Sequence, residues 1–297
     1  MVWSLGIARG PDPFNVIYRG PIQTGQDALD FGDRVLFIAD PFLFIHEKRW
    51  FIFTEALNND CQKGEIAYHL SIDSGSTWSY GGIILKEDWH LSFPFVVSHE
   101  GAFYMITCAT AGTQSPYSLW LYSTDSLPNG WKRVSKILQN QTIGRPVDPI
   151  LLSKDGFWYL FVLDDGIDKE RLFYSVSLLG PFTEHTSSRQ YLLRHSGRIV
   201  KDRTDKLWAF HHTSKSVERK EIEVLTTTEY KYGKSRSLLG PTRNAWSRSG
   251  MHTFNAVEIN ADDWVVVVDG FWQDKHFKTF KCVESGRLSC QVRGLVA

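Results

Sequence analysis

Several features that define large protein classes are missing from this sequence. No stretch approaches the ~20 apolar residues that a membrane-spanning helix needs, and the first ten residues lack the basic start and apolar run of a signal peptide. The 33 basic and 33 acidic residues balance, so no net charge attracts nucleic acid or an anionic membrane. Long helical periodicity is absent too. We therefore expect a soluble, cytoplasmic protein with no membrane span and no nucleic-acid partner.

Cysteine is also scarce. The four cysteines, Cys61, Cys108, Cys282 and Cys290, match neither a zinc-binding spacing nor a redox motif. Cys282 and Cys290 could face each other across a hairpin, but reduced thiols are our expectation. Aromatic residues, by contrast, make up 14% of the chain. They suit packed sheets and stacking on sugar rings, and we assign most of them to the core.

A repeat begins at Asp40-Pro41-Phe42, which is followed by Trp50-Phe51-Ile52-Phe53. The third copy, Asp148-Pro149-Ile150 followed by Trp158-Tyr159-Leu160-Phe161, keeps the same interval, and further copies begin near residues 93, 197 and 254. Each copy predicts two strands joined by a short polar turn, and two more strands follow in most copies. Four strands in a period of about 50 residues are typical of a β-propeller blade.

The sequence therefore predicts an all-β fold, a five-bladed β-propeller, in one domain over residues 1–297. The predicted blades lie near residues 36–88, 89–142, 143–192, 193–245 and 246–297. We expect the N-terminal region to close the ring by pairing with the last blade around residues 277–283. Residues Ser71–Trp78 match the Asp-box pattern S-x-D-x-G-x-T-W, a structural hairpin in which Asp73 binds backbone amides of the turn.

In such a propeller the start of each first strand and the end of each second strand meet at one end of the central funnel. The predicted site residues at this end are polar or charged: Asp40, Glu55, His90, Arg145, Asp148, Asp164, His195, Arg198, His211, His212, His252 and Asp269. An Asp before proline is usually only a turn residue, but two at the same register of different blades favour a shared pocket. Single histidines are more often structural, and adjacent His211 and His212 point to opposite faces of a strand.

The two aspartates at the blade heads resemble those of five-bladed glycoside hydrolases such as family 43. That resemblance implies that Asp40 is the general base, that Asp148 tunes pKa values and orientation, and that a Glu on a later blade is the general acid. The fourth copy opens with Ser196-Gly197-Arg198, so the expected Glu is missing. Glu55 is the substitute that could reach the funnel.

A second resemblance covers most of the chain. Ala39–Phe44, Lys63-Gly64-Glu65-Ile66, His90–Phe95 and Asp148-Pro149 resemble the N-terminal propeller of plant glucosamine inositolphosphorylceramide transferases. A free-standing propeller of this kind also resembles chlorovirus glycosyltransferases that add xylose to a capsid N-glycan. These resemblances imply a UDP-sugar donor, UDP-xylose first, a glycan acceptor, and the host cytoplasm as location if the chain is viral.

Chemistry separates three possible functions. A hydrolase needs a carboxylic acid to protonate a poor alkoxide leaving group, whereas transfer from a nucleotide-sugar expels a stable diphosphate that needs positive charge or hydrogen-bond donors. The funnel offers a base, Asp40, and cations in Arg145, Arg198 and the histidines. We therefore expect an inverting glycosyltransferase in which these cations hold the diphosphate, with or without a divalent cation. A family 43-type xylosidase or arabinofuranosidase and a carbohydrate-binding propeller are the alternatives.

Overall fold

The protein is a five-bladed β-propeller, with 65% of the residues in strands and 3% in helix. The structure, a computed structural model, describes residues 2–110, 118–138, 143–188, 191, 193–213, 216–239, 247 and 249–272. Five antiparallel sheets form the blades, and each sheet begins with an inner strand and continues outward. The predicted fold class is confirmed.

The strands follow chain order within the first four blades, except that the last short strand of blade four pairs with the third one. Blade one holds β3 to β6, which span Val35–His46, Arg49–Asn58, Gly64–Ser71 and Ser79–Leu85. Blade two holds β7 to β10, which span His90–His99, Ala102–Thr110, Ser118–Thr124 and Lys132–Ile137. Blade three holds β11 to β14, which span Pro146–Lys154, Phe157–Asp164, Lys169–Ser175 and Thr183–Glu184. Blade four holds β15 to β19, which span Val200–Lys201, Leu207–His212, Val217–Leu225, Tyr230–Tyr232 and Arg236–Leu239.

Blade five is assembled from both ends of the described chain. Its inner strands are β20 (Gly250–Asn260) and β21 (Asp263–Trp272), and its outer strands are β1 (Val2–Asp12) and β2 (Asn15–Thr24). β1 runs antiparallel to β21, from Val2 opposite Trp272 to Gly10 opposite Trp264. The N-terminal region thus pairs with the last blade, as expected, but with residues 264–272 rather than around 277–283. This pairing joins both ends of the described chain in one sheet. The predicted partner residues 277–283, the rest of blade five and Cys282 and Cys290 lie outside the described residues.

The blades pack against each other through both faces of their strands. In β4, seven successive residues from Trp50 to Ala56 are buried, because neighbouring blades cover both faces of this strand. Around the axis, the Phe42 ring meets the Phe93 ring edge-on at 4.8 Å between centroids. The helix α1 (Gly25–Phe31) begins with a capping box formed by Thr24 and Asp27. No helix within the described ranges is long and apolar enough to cross a membrane.

Each of the first three blades opens with the same irregularity. Asp40, Phe93 and Asp148 have φ angles of 52°, 54° and 53°, and the pairing with the second strand shifts register at each of them. A proline follows each one and fits there, because a bulge needs no ladder N–H at that point. A bulge re-aims the side chains beside it, so the repeat that marks the blades also places Asp40 and Asp148 at the same end of the funnel.

Candidate active site

A cavity of about 240 Å³ opens at the end of the propeller where the inner strands begin. Its walls come from the heads of blades one, two and three, from the loop before blade four, and from blade five. Twelve residues line it: Trp3, Phe37, Ala39, Asp40, Glu55, His90, Ser92, Cys108, Val147, Asp148, Arg194 and His252. The predicted Asp40, Glu55, His90, Asp148 and His252 are therefore brought together.

Asp40 is 5% exposed and lies beside two residues of blade five. The Asp40 Oδ1 atom is 3.1 Å from His252 Nδ1 and accepts a hydrogen bond from Thr253 Oγ1 at 3.3 Å. The backbone N–H of Asp40 donates to Asp269 Oδ2 at 2.9 Å. Both side-chain contacts engage Oδ1, and no described residue bonds to Oδ2, so this oxygen can accept a hydrogen bond from a ligand.

His252 lies between two carboxylates. Burial lowers the pKa of His252, but its hydrogen bonds to Asp269 and Asp40 and the charges of both carboxylates raise that pKa to about 10. Burial raises the pKa of Asp269, whereas the bond to His252 and two backbone N–H groups lower it below its usual value. The side chain of His252 therefore carries a positive charge at neutral pH and lies between the two carboxyl groups that raise its pKa.

Asp148 is held by a cation from the loop before blade four. Arg194 Nε donates to Asp148 Oδ2, and the Asp148 side chain is only 3% exposed while that of Arg194 is 42% exposed. Burial raises the pKa of Asp148, but the charge and hydrogen bond of Arg194 hold that pKa well below its ordinary range. Asp148 is thus an ionised carboxylate, and Arg194 keeps an exposed part of its guanidinium at the cavity wall.

Glu55 pairs with His90 of blade two. His90 Nε2 lies 3.1 Å from Glu55 Oε1, and His90 Nδ1 accepts the Gly64 N–H at 2.9 Å. This second bond favours the neutral tautomer with its proton on Nε2, although the Glu55 charge favours a protonated ring. A Cβ at Gly64 would lie 2.2 Å from the Leu91 carbonyl oxygen, so only glycine permits this approach.

The pKa of Glu55 is raised chiefly by burial, and the Asp40 charge raises it further, while the bond to His90 lowers it. Glu55 is therefore the carboxyl group of the cavity that takes up a proton most readily. The cavity therefore holds one ionised carboxylate, Asp148, and one carboxyl group with a raised pKa, Glu55. Two carboxyl groups whose pKa values are pushed apart are typical of acid–base catalysis.

His212 extends the site toward blade four. Its ring centroid lies 4.1 Å from that of His252, and its Nε2 lies 4.0 Å from Asp148 Oδ2, too far for a hydrogen bond. His211 points away and binds Glu218 at 3.3 Å. Only one of the two adjacent histidines faces the cavity region, as the strand alternation predicts.

Three other predicted residues serve structural contacts outside the cavity. Asp164 accepts hydrogen bonds from the backbone N–H groups of Gly144 and Arg145 and from Arg171. Arg145 is half-exposed and pairs with Asp165 at 3.3 Å. Buried His195 binds Glu170 at 2.7 Å, in a network that also holds two tyrosine hydroxyls. The expectation that Arg145, Asp164 and His195 line the substrate pocket is therefore wrong.

Arg198 also lies elsewhere, which corrects its predicted position. Its Nη2 donates to the carbonyl oxygens of Leu43 and Val96 at 3.2 and 3.4 Å, and its guanidinium sits over the Phe95 ring at 5.0 Å. It lines a separate opening of the propeller with Leu43 and Trp264. Gly197, the residue before Arg198, lies close to blade five: a Cβ there would be 1.9 Å from the Phe254 carbonyl oxygen, so only glycine permits this approach.

Arg194, Trp3 and Phe37 are among the lining residues that were absent from the predicted site. Arg194 stands four residues before Arg198, where the fourth repeat copy is weakest, so no register pointed to it. Trp3 lies on β1 and packs on Phe271 at 4.7 Å and edge-on against His252 at 5.5 Å. The expected closure of the ring by the N-terminal strand was a signal that could have identified Trp3, because this strand brings its side chains to the funnel.

The ligand atoms of Asp40, His252 and Asp269 lie within 4.8 Å of one another, close enough to surround a cation. A metal ion would have to displace the Nδ1 proton of His252, because metal ligands bind in their deprotonated form. The high pKa of His252 opposes that exchange, and Asp269 is already engaged by the Asp40 and Thr253 N–H groups. The trio is thus arranged to hold a proton, and the sequence left the use of a divalent cation open.

Comparison with known proteins places this arrangement in context. Solved structures with the same fold include a family 43 β-xylosidase/α-arabinofuranosidase from a compost metagenome, with a TM-score of 0.56, 12% identity, and coverage of 77% of this chain and 84% of that one. An exo-β-1,3-galactanase from Phanerochaete chrysosporium has a TM-score of 0.60 and 10% identity, with coverage of 78% and 59%. At such identities the likeness concerns the fold alone.

Curated relatives are more similar in sequence. Glucosamine inositolphosphorylceramide transferase 1 of Oryza sativa subsp. japonica is 32% identical over 271 residues, which cover 84% of this chain and 35% of the relative. The Arabidopsis thaliana protein of the same name is 27% identical over 306 residues, with coverage of 90% and 39%. This chain therefore spans little more than a third of these relatives. The family described as "Glucosamine inositolphosphorylceramide transferase 1, N-terminal" matches residues 2–271, and the chain belongs to that family.

Proposed function

We propose that this propeller catalyses inverting glycosyl transfer, moving a sugar from a nucleotide-sugar donor to a hydroxyl group of a glycan. The observation that carries the proposal is the convergence of Asp40, Glu55 and Asp148 with Arg194 in one small cavity. Glycosyl transfer develops positive charge at the anomeric carbon, and the ionised carboxylate of Asp148 at the cavity wall stabilises that charge. The acceptor hydroxyl needs one base.

Asp40 is the residue we assign as that base. His252 and Thr253 contact its Oδ1, which leaves Oδ2 for the acceptor hydroxyl. A carboxylate that is buried and oriented by neighbours takes a proton at a defined position, and a positioned base contributes ~10²–10⁴-fold to the rate. Asp148, held by Arg194, orients the sugar ring that enters the cavity.

Arg194 takes the role that the sequence assigned to Arg145 and Arg198. Its Nε is engaged by Asp148, while the side chain is 42% exposed at the cavity wall. The remaining guanidinium N–H groups suit a charge-assisted bond to a leaving diphosphate. His212 lies next to this pair and can add a second donor once an anion favours its protonated form.

The size of the cavity supports a single sugar ring as its occupant. Its volume of about 240 Å³ is below the ~300–1,000 Å³ of pockets that enclose a drug-sized ligand. A nucleotide therefore has to lie outside it, near Arg194, with only the sugar inside. UDP-xylose, whose pentose is small, is the first donor to test, with an N-glycan as acceptor.

The family supports the proposal in general terms. The relatives are named as transferases and their name includes a sugar, but this chain matches only part of their length, so neither activity nor substrate follows from the name. Cytoplasmic localisation likewise stays a prediction of the sequence.

The test is a screen of purified protein for uridine diphosphate binding by calorimetry and for transfer from UDP-xylose and other nucleotide-sugars to glycan acceptors. We expect saturable nucleotide binding, transfer from at least one donor, and loss of transfer with retained binding in Asp40→Asn. No binding and no transfer with any nucleotide-sugar would reject the transferase function.

The second function, a glycoside hydrolase, is favoured by one specific observation. Glu55 lines the cavity together with Asp40 and Asp148, and its raised pKa suits a proton donor to a leaving alkoxide. In this case Asp40 activates water and Glu55 is the acid. Cleavage of a xyloside or arabinoside by the wild type, together with its loss in Glu55→Gln, would establish this function in place of transfer.

A further inference from the structure

We propose that Asp269 and His252 act as positioning residues that clamp Asp40 across the seam between blades five and one. The sequence had placed both among the substrate-binding residues. The clamp rests on the proposed function in one respect, since it serves the residue we assign as base. Its evidence, however, is the contact pattern around Asp269, which is independent of any substrate.

Asp269 is fully buried and does not line the cavity. Its Oδ2 accepts the N–H of Asp40 at 2.9 Å, and its Oδ1 accepts the N–H of Thr253 at 2.6 Å. These two amides belong to the bulged heads of blade one and blade five. One carboxylate therefore fixes both bulges relative to each other, although Asp40 and Asp269 are 229 residues apart in sequence.

The bond to the Asp40 amide matters because the backbone of Asp40 is left-handed, with φ at 52°. A residue in this region keeps its conformation only when its surroundings enforce it. Asp269 holds the backbone N–H of Asp40. His252 holds the Asp40 side chain, because its Nδ1 lies 3.1 Å from Asp40 Oδ1 and 3.6 Å from Asp269 Oδ2.

Contacts of a similar kind join other pairs of neighbouring blades. The end of the second strand in one blade contacts the head of the next: Glu55 of blade one meets His90, Cys108 of blade two meets the Pro146 carbonyl, and His212 of blade four meets His252. Asp269 is the member of this series whose carboxylate accepts the backbone N–H of the next bulge. Asp148, the counterpart of Asp40, is clamped instead through its side chain by Arg194.

The clamp predicts how Asp40 is presented to a substrate. With Oδ1 held by His252 and Thr253, the carboxylate cannot rotate freely, and Oδ2 stays directed away from the seam. His252 also pairs with Asp40 through Oδ1 and does not contact Oδ2, the atom that a substrate would use. The charged or titratable groups that face His252 are Asp40, Asp269, Glu55 and His212.

An experiment without substrate tests the clamp directly. The imidazole of His252 is followed by NMR during a pH titration of the full chain, in the wild type, Asp269→Asn and the control Asp263→Asn. Asp263 lies on the same strand but pairs with Arg9 at the far turn. We expect the wild type and Asp263→Asn to keep the His252 proton up to a pH of about 10, and Asp269→Asn to lose it at markedly lower pH. A wild-type midpoint near the ordinary histidine value of 6.5 would overturn the clamp.

Activity measurements separate this inference from the proposed function. We expect Asp269→Asn to lower kcat, by less than Asp40→Asn does, to leave nucleotide affinity unchanged and to shift the pH profile of kcat. If Asp40→Asn abolishes transfer while Asp269→Asn changes neither kcat nor its pH profile, the clamp is wrong and the function stands. If Asp269→Asn does not fold, Thr253→Val is the substitute, because it removes the hydroxyl contact to the carboxylates of Asp40 and Asp269. We then expect Thr253→Val to lower kcat and to shift its pH profile.

Discussion

The protonated His252 makes the stability of the propeller dependent on pH in a predictable direction. The pKa of His252 in the folded protein is about 10, against an ordinary value of 6.5. A group whose pKa is raised on folding stabilises the folded state fully below its unfolded pKa, and this stabilisation is lost as pH rises through the folded pKa. Stability should therefore fall between a pH of 6.5 and about 10.

The magnitude follows from the same two pKa values. At ~1.4 kcal/mol per pKa unit, the difference between 6.5 and about 10 amounts to at most about 5 kcal/mol. The side chain is 17% exposed, so solvent screening reduces this figure only moderately. A loss of several kcal/mol is a large part of the ~5–15 kcal/mol that stabilises a typical domain.

The assay is urea unfolding across this pH range for the wild type, His252→Gln and the control His46→Gln. His46 is 38% exposed on the opposite turn, so its loss should not change the slope. Tyrosine and cysteine titration contributes equally to all three proteins and cancels in the difference. We expect His252→Gln to be less stable at neutral pH and to lose less stability toward alkaline pH. Parallel curves for the wild type and His252→Gln would refute the argument.

Three further outcomes are expected. Asp40→Asn should lose ~10²–10⁴-fold in turnover with unchanged nucleotide affinity, measured by steady-state kinetics and calorimetry; equal loss of affinity would contradict its role as base. Arg194→Met should weaken uridine diphosphate binding while Arg198→Met does not, since Arg198 bonds to backbone carbonyls; the reverse pattern would restore the position expected from sequence. Trp3→Ala should weaken binding of a glycan or sugar ligand because the ring lines the cavity, with Trp78→Ala as an aromatic control outside it.

Much of the fold is readable from the sequence because a propeller repeats one local unit. The interval from Asp40 to Trp50 recurs from Asp148 to Trp158, and in a ring of similar blades equal register means equal height along the axis. That reasoning brought Asp40, Asp148 and Glu55 to one end of the funnel, and the structure places all three around one cavity.

The same reasoning gave the wrong location for two predicted side chains, those of Arg198 and Asp164. Arg198 occupies the head of blade four, yet it reaches into the inner strands rather than toward Asp40. Asp164 stands one residue beyond the position of Glu55 in its own repeat, opposite Pro146 rather than Val147. A neighbouring arginine, Arg171, and two local N–H groups engage it. Register determines the height of a residue in the ring, whereas the direction of its side chain depends on local partners.

The sequence by itself determined the blade count and the strand pairing within the first four blades, since these depend on contacts between neighbours in the chain. Only the tertiary structure decided which groups hold those aspartates. Arg194 reaches Asp148 from the next blade, and Asp269 binds the Asp40 amide from the opposite end of the chain. Charges and hydrogen bonds act over a few ångströms of space regardless of sequence distance. The protonation states of the site residues therefore depend on contacts that exist only in the closed ring.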